Sequence, residues 1–253
     1  MSEMSYGLEG KVAVVTGGSR GIGLEIARAL MAEKARVAIC GRKQEGLDAA
    51  VSELGESPDL LSAAAHIARE DDVKALFARV KDAFGRVDIL INNVGMNIIT
   101  GLSDAEVSLW NKIIESNLTG AFLCAREAAR LMREQKQGKI VGITSLAARR
   151  SAPAMGIYGV AKAGIEMMTR VMAQELAPFG AQVNAVAPAM VKTGFSAPFW
   201  SNPEIHDQIV KTIPLGRVAD PADIVGPVLF LCSAASDFIT GQTLPVDGGA
   251  SAI

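Results

Sequence analysis

The sequence predicts an α/β fold: one doubly wound parallel sheet of about seven strands with helices on both faces. Three observations carry this. Short apolar, β-branched runs such as "KVAVVTGG" and "GKIVGITS" alternate along the chain with longer segments of helical spacing. Those runs lack polar alternation, as strands covered on both sides do. The 253 residues, 49% hydrophobic and 21% charged, suffice for one such domain and its core. No linker, repeat or low-complexity tract interrupts the pattern, so residues 1–253 read as a single domain.

The elements follow in order. "KVAVVTGG" is a strand ending in glycines, and "GIGLEIARALMAEK" a helix behind it. "RVAICGR" is the second strand, "EGLDAAVSEL" a helix, "ESPD" a turn and "LLSAAAH" a weaker third strand. "EDDVKALFARVKDAFG" is an amphipathic helix whose acidic first turn suits the helix dipole. "VDILINNVG" is the fourth strand, and the stretch from Asp104 to Gln135 reads as one long helix. "GKIVGITS" is the fifth strand, followed by the helix "GIYGVAKAGIEMMTRVMAQELAPFG", stopped by Pro178 and Gly180. "AQVNAVAP" is the sixth strand and "GQTLPVDGG" the last; between them Asp220 caps a helix with Pro221 at its first position. The segment from about 189 to 215, rich in Pro, Phe and Trp, has no clear period and reads as a long loop, a lid over a substrate.

Composition narrows the function. A net charge of −2 offers no broad surface for nucleic acid or membrane, and no apolar run reaches membrane-spanning length. The polar start "MSEMSYGLEGK" does not read as a signal peptide. Cys40, Cys124 and Cys232 are scattered and odd in number, and read as buried thiols of a reducing, cytoplasmic compartment. The only histidines, His66 and His206, lie far apart, so no metal site is expected.

After the first strand, "TGGSRGIG" places Gly17, Gly21 and Gly23 in a GxxxGxG pattern that opens a helix, where a dinucleotide pyrophosphate would meet free amides. The bland alternative is a tight strand-to-helix turn. At the end of the second strand an acid would bind a ribose 2′-hydroxyl; here stands Gly41, then Arg42, with Arg20 in the glycine loop. Two guanidiniums suit a 2′-phosphate, so the sequence predicts NADP(H) rather than NAD(H). Tyr158 and Lys162 stand at i and i+4, adjacent on a helix face, and a nearby ammonium is expected to lower the phenol's pKa from about 10. Ser145, at the fifth strand's end, lies near the edge where open α/β sheets bind ligands and can donate to a developing alkoxide. Each feature has a structural reading too: an ordinary helix pair, a turn cap.

In family order and spacing, "TGGSRGIG", "NNVG", "SNLTG", Ser145, "YGVAK", "VAPAMVKT" and "VDGG" resemble the short-chain dehydrogenase/reductase family along nearly the whole chain. The nearest-looking subgroup holds 3-oxoacyl-carrier-protein reductases and bacterial ketone and polyol dehydrogenases. The resemblance implies a Rossmann-type fold and a ketone–alcohol oxidoreductase. Tyr158 would be the general acid/base; Lys162 would hold the nicotinamide ribose and acidify Tyr158; Ser145 would orient the substrate oxygen; Asn117 would place a water relaying protons to Lys162. Gly17, Ser19, Arg20, Gly21, Ile22 and Gly23 would line the phosphates and ribose, Asn93 and Gly95 the adenosine ribose, and Val191 and Thr193 the carboxamide. Two positions depart from the pattern: His66 stands where an adenine-binding Asp is common, and Ala189 replaces the glycine after Pro188.

The substrate expected is a small, partly apolar carbonyl or alcohol. Phe195, Phe199 and Trp200 read either as core or as a pocket wall, with Met155 and Ile157 beside them. A carrier-protein reductase remains the rival: Arg130 matches a docking position, but Gln174 stands where a second Arg is expected. A non-catalytic NADP-binding regulator is a third reading. The resemblance also implies a homotetramer, paired through Ala121, Ala125, Ala161 and Ala163 on two helices taken to be exposed.

Overall fold

In the computed structural model, which describes residues 5–153 and 155–252, seven strands form one sheet. They are β1 (Val12–Thr16), β2 (Arg36–Gly41), β3 (Leu60–Ala64), β4 (Ile89–Asn92), β5 (Gly138–Ile143), β6 (Ala181–Pro188) and β7 (Thr243–Val246). Their order is β3-β2-β1-β4-β5-β6-β7 and every pairing is parallel. The polar start of the chain lies partly outside the described residues, at 1–4. Successive strand side chains point to opposite faces, so Val12 and Val14 join one core while Ala13 and Val15 join the other. The first core is closed by α3 (Glu70–Phe84), α5 (Gly120–Gln135) and α6 (Gly156–Leu176). The second is closed by α1 (Gly21–Ala32), α2 (Gln44–Leu54) and α9 (Pro221–Cys232). Both faces are covered, which is why the strands carry no polar alternation.

The chain reverses its direction of travel across the sheet between β1 and β4. In such sheets the crevice for a ligand opens at the carboxyl ends of those strands. Buried Asp88 ties the two: its carboxylate accepts the Val12 N–H at 2.9 Å, and Arg86 holds it from outside.

The expected long helix is not continuous. It begins at Val107 as α4 (Val107–Ile114), widens into a π turn at Glu115–Thr119, and resumes as α5. The bulge swings Asn117 into the interior, where its side chain donates to the Ile113 carbonyl at 2.8 Å. α6 ends at Leu176; Pro178 tightens the next turn to 3-10 geometry and Gly180 leaves at φ 70°. The segment predicted as loop folds into α7 (Ala197–Trp200) and α8 (Pro203–Lys211). The Asn202 carboxamide caps α8 by accepting the Glu204 and Ile205 N–H groups, with Pro203 at the first position. That "SNPE" signal was legible in the sequence.

The alanines expected on the surface are not there. Ala121, Ala125 and Ala161 are buried and Ala163 is half-buried. Small side chains on α5 and α6 let these helices lie close to the sheet and to each other. The exposed apolar residues of the two helices are larger ones, Phe122, Val160, Met167 and Val171.

Candidate active site

A cleft of about 540 Å³ runs along the carboxyl edge of the sheet. Its β1–β2 end is built by the glycine loop. Gly17 and Gly21 have φ of 67° and 57°, the left-handed region other residues avoid. A Cβ on Gly23 would lie 2.4 Å from the Gly17 carbonyl oxygen, so only glycine lets α1 start this close to the strand. No side chain caps α1, which leaves its first-turn amides available to an anion. Across the cleft, Thr193 reaches back: a Cβ on Gly21 would meet its methyl at 3.4 Å. Ser19 and Ile22 line the same end.

Asn93 serves the loop itself. Its side chain donates to the Thr16 and Gly17 carbonyls at 3.0 and 3.3 Å, stapling β4 to the loop. Arg20 and Arg42 both line the cleft and are exposed. Among the described residues neither makes a hydrogen bond or ion pair through its side chain. His66 lines the cleft wall while its N–H donates to Asp72 at 2.8 Å and its Nδ1 accepts the Ala68 N–H at 3.3 Å. Ala189 continues the β6–β7 pairing through its N–H to Val246, and Val191 is buried beside it.

The β5–α6 end gathers the four residues predicted to be catalytic. Ser145 follows β5, extended, its Oγ accepting the Ala147 N–H at 3.1 Å. Tyr158 and Lys162 lie on α6 one turn apart and are both buried. The Lys162 ammonium donates to the Ile143 carbonyl at 2.9 Å and stands 5.5 Å from the Tyr158 ring centre. Asn117 closes the group: its Nδ2 donates to the Met96 carbonyl at 2.7 Å and its Oδ1 accepts the Met96 N–H at 3.1 Å. Gly95, which follows Asn93 along the same cleft, lies beside this group. A Cβ placed on it would sit 3.6 Å from both Asn117 Oδ1 and Lys162 Nζ.

The electrostatics correct one expectation. Burial pushes the Tyr158 phenol up to about 12, and the nearby Ser145 hydroxyl only partly opposes it. Lys162 does not lower it in the protein alone. The same burial drives Lys162 down to about 8, and its ammonium points at a carbonyl. In the protein alone, burial therefore favours the protonated phenol.

Three supporting residues were missed. Glu166, buried one turn beyond Lys162, accepts both Arg149 Nε contacts at 2.9 and 3.0 Å and the Thr144 hydroxyl at 3.3 Å. Thr144 in turn accepts the Ser145 N–H, so the pair fixes the serine's backbone. Arg149 also donates to the Thr243 carbonyl of β7 at 3.3 Å. The available signal was Tyr158, Lys162 and Glu166 at i, i+4 and i+8, one continuous helix face. Phe195, Phe199 and Met155 line the cleft, and Phe195 packs on Tyr158 at 5.8 Å between ring centres. Ile157 packs instead in a small core with Ile113, and Trp200 donates to the Thr193 carbonyl at 3.1 Å.

A doubly wound sheet, a glycine-lined loop opening a helix and a half-buried Ser145 beside buried Tyr158 and Lys162 together fit a nucleotide-dependent oxidoreductase. A family profile described as "Enoyl-(Acyl carrier protein) reductase" matches residues 17–251. The chain is 38% identical to a 3-oxoacyl-[acyl-carrier-protein] reductase of Synechocystis over 96% of this chain and 97% of that one. It is 36% identical to a 3alpha-hydroxysteroid dehydrogenase of Mediterraneibacter gnavus over 96% and 98%. The solved structure of a short-chain type dehydrogenase/reductase from Mycobacterium marinum superposes with a TM-score of 0.92 at 31% identity, covering 98% of both chains. The chain belongs to the short-chain dehydrogenase/reductase family, whose members bind a nicotinamide cofactor. No helix among the described residues is long and apolar enough to cross a membrane.

Proposed function

We propose that the protein is an NADP-dependent reductase of a ketone to a secondary alcohol, with Tyr158 as proton donor. The observation that carries this is Tyr158 itself, buried on the cleft one helical turn from Lys162 and close to Ser145, where burial favours its protonated form. The bound nicotinamide supplies the hydride chemistry. Ser145 orients the carbonyl oxygen and Tyr158 delivers a proton to it as charge develops. Lys162 is placed to hold a ribose hydroxyl, and Asn117, beside its ammonium over Gly95, shapes the route by which the phenol is reprotonated. Arg20 and Arg42, exposed and unpaired among the described residues at the β2 end, support the preference for a 2′-phosphate. Residues 189–215, with Phe195 and Phe199 on the cleft, form the substrate lid.

The homotetramer is retained with a different surface. Phe122 on α5 and Val160, Met167 and Val171 on α6 are each more than a third exposed, and such patches favour pairing with a second copy. Carrier-protein reduction is the second reading, favoured by the Synechocystis relative's activity. Against it, Arg130 is already paired with Glu127 at 2.8 Å, which leaves less free charge for an acidic partner. The experiment is a fall in NADPH absorbance against simple ketones, 3-oxoacyl thioesters and sugar acids, with NADH in parallel. No turnover with any of them, in a folded protein that binds NADPH, would sink the reductase reading.

A further inference from the structure

The charge around the cleft is one-sided. Among the described lining residues there is no Asp and no Glu, while Arg20, Arg42, Arg150 and Lys162 contribute cations. Their positions separate them. Arg20 and Arg42 stand at the β1–β2 end. Ser145 and Arg150 follow β5, two strands from β1, which Arg20 follows, and three from β2, which Arg42 follows, in the sheet order β2-β1-β4-β5. At the usual strand spacing those steps are about 10 and 14 Å, which sets Arg20 and Arg42 toward the other end of the cleft from Tyr158. Lys162 is buried and donates to the Ile143 carbonyl. Arg150 is therefore the one cation on the substrate side of the cleft among the described residues.

Arg150 is also braced. Its Nη1 donates to the Ala250 carbonyl, a hundred residues downstream. That carbonyl belongs to a turn fixed by Asp247, whose carboxylate accepts the Gly249 and Ser251 N–H groups at 3.0 and 2.9 Å. The brace uses one of the guanidinium's five N–H donors, and a carboxylate is the group whose two oxygens match the rest of the fork. Arg150 is itself exposed, and the cleft carries the apolar side chains of Met155, Phe195, Phe199, Ile213 and Ala250 together with the polar Ser151 and Thr212.

We propose that Arg150 is an anion subsite, and that the physiological substrate is an oxo acid or hydroxy acid whose carboxylate it binds while an apolar body lies against Met155 and Phe195. The proposal rests on the reductase reading and narrows its substrate class.

The test uses 4-, 5- and 6-oxoalkanoates, each beside its own methyl ester, with NADPH. For at least one chain length the acid should exceed the ester roughly tenfold or more in kcat/KM, the scale of a charge-assisted contact. Arg150→Met should bring that ratio close to one, and Arg150→Lys, which keeps the charge without the fork, should retain part of it. Ratios near one for every length in the wild type, or an undiminished ratio in Arg150→Met, would overturn the subsite and leave Arg150 as a brace for the C-terminal turn. A second arm does not depend on turnover. Binding of the same acids to Tyr158→Phe protein with NADP+ is followed by ligand-observed NMR. Saturation transfer to the acids that disappears on adding Arg150→Met supports the subsite even if the reductase reading fails. Its absence for all acids overturns it.

Discussion

The two ends of the cleft are built on opposite physical plans. At the β1–β2 end Arg20 and Arg42, the groups proposed to select the cofactor, are exposed and without partners among the described residues. At the β5–α6 end the groups proposed to react, Tyr158 and Lys162, are buried, and Lys162 donates to the Ile143 carbonyl. Exposed charges select a ligand with little consequence for the fold but remain subject to salt screening. Buried polar groups have their proton affinities reset by desolvation, at the expense of stability. If both proposed roles hold, mutation should separate selection from chemistry in this molecule.

The largest expected effect is on the buried end. Tyr158→Phe should lower kcat by about 10²–10⁴, the range for losing a general acid, with NADPH affinity nearly intact by fluorescence titration. A folded variant with near wild-type turnover would break the contrast at its centre.

Lys162→Met, assayed without cofactor by urea unfolding, should be more stable than wild type at pH 7 by about 3 kcal/mol. The sign follows from the folded pKa of about 8, below the ordinary value of 10.5. Between those values the unfolded chain binds more protons, so the wild type gains stability as pH rises through the window. The variant's advantage should shrink toward pH 10.5. An advantage that does not change with pH would mean that Lys162 carries no desolvation cost.

Arg42→Ala should reduce the NADPH-over-NADH preference by about 1–3 kcal/mol, more at low salt than at high. Stability should move by no more than about 0.5 kcal/mol, as for an ordinary surface change. A large fall in melting temperature would show that the adenosine end is not the loose one.

The smallest effect is expected where the catalytic end is only supported. Glu166→Gln removes the charge that holds Arg149 and keeps an acceptor for Thr144. It should lower kcat by about tenfold or less through a looser Ser145, with KM for NADPH unchanged. A rise in cofactor KM with kcat intact would place the pair's influence on binding instead.

Much was legible in the sequence because it is local. Strand and helix periods, the glycine pattern, the Pro221 start of α9 and the i, i+4 spacing of Tyr158 and Lys162 all depend on backbone geometry within a few residues. Motif order then pointed to Ser145 and Asn117, and the structure brings both to the same end as Tyr158. What stayed hidden depends on segments distant in the chain. The π turn that aims Asn117 inward answers to the Met96 backbone. The alanines of α5 and α6 are buried because small side chains let helices approach a sheet, which no helical period reports. The direction of the Tyr158 shift was missed because charge spacing is written in the sequence and desolvation is not. Arg149 and Arg150, adjacent in sequence, part company in the fold: one turns to Glu166, the other to the cleft and the Ala250 carbonyl. The sequence by itself determined which groups the site contains and along which edge they lie. Tertiary structure decided which are covered, and so which proton each holds.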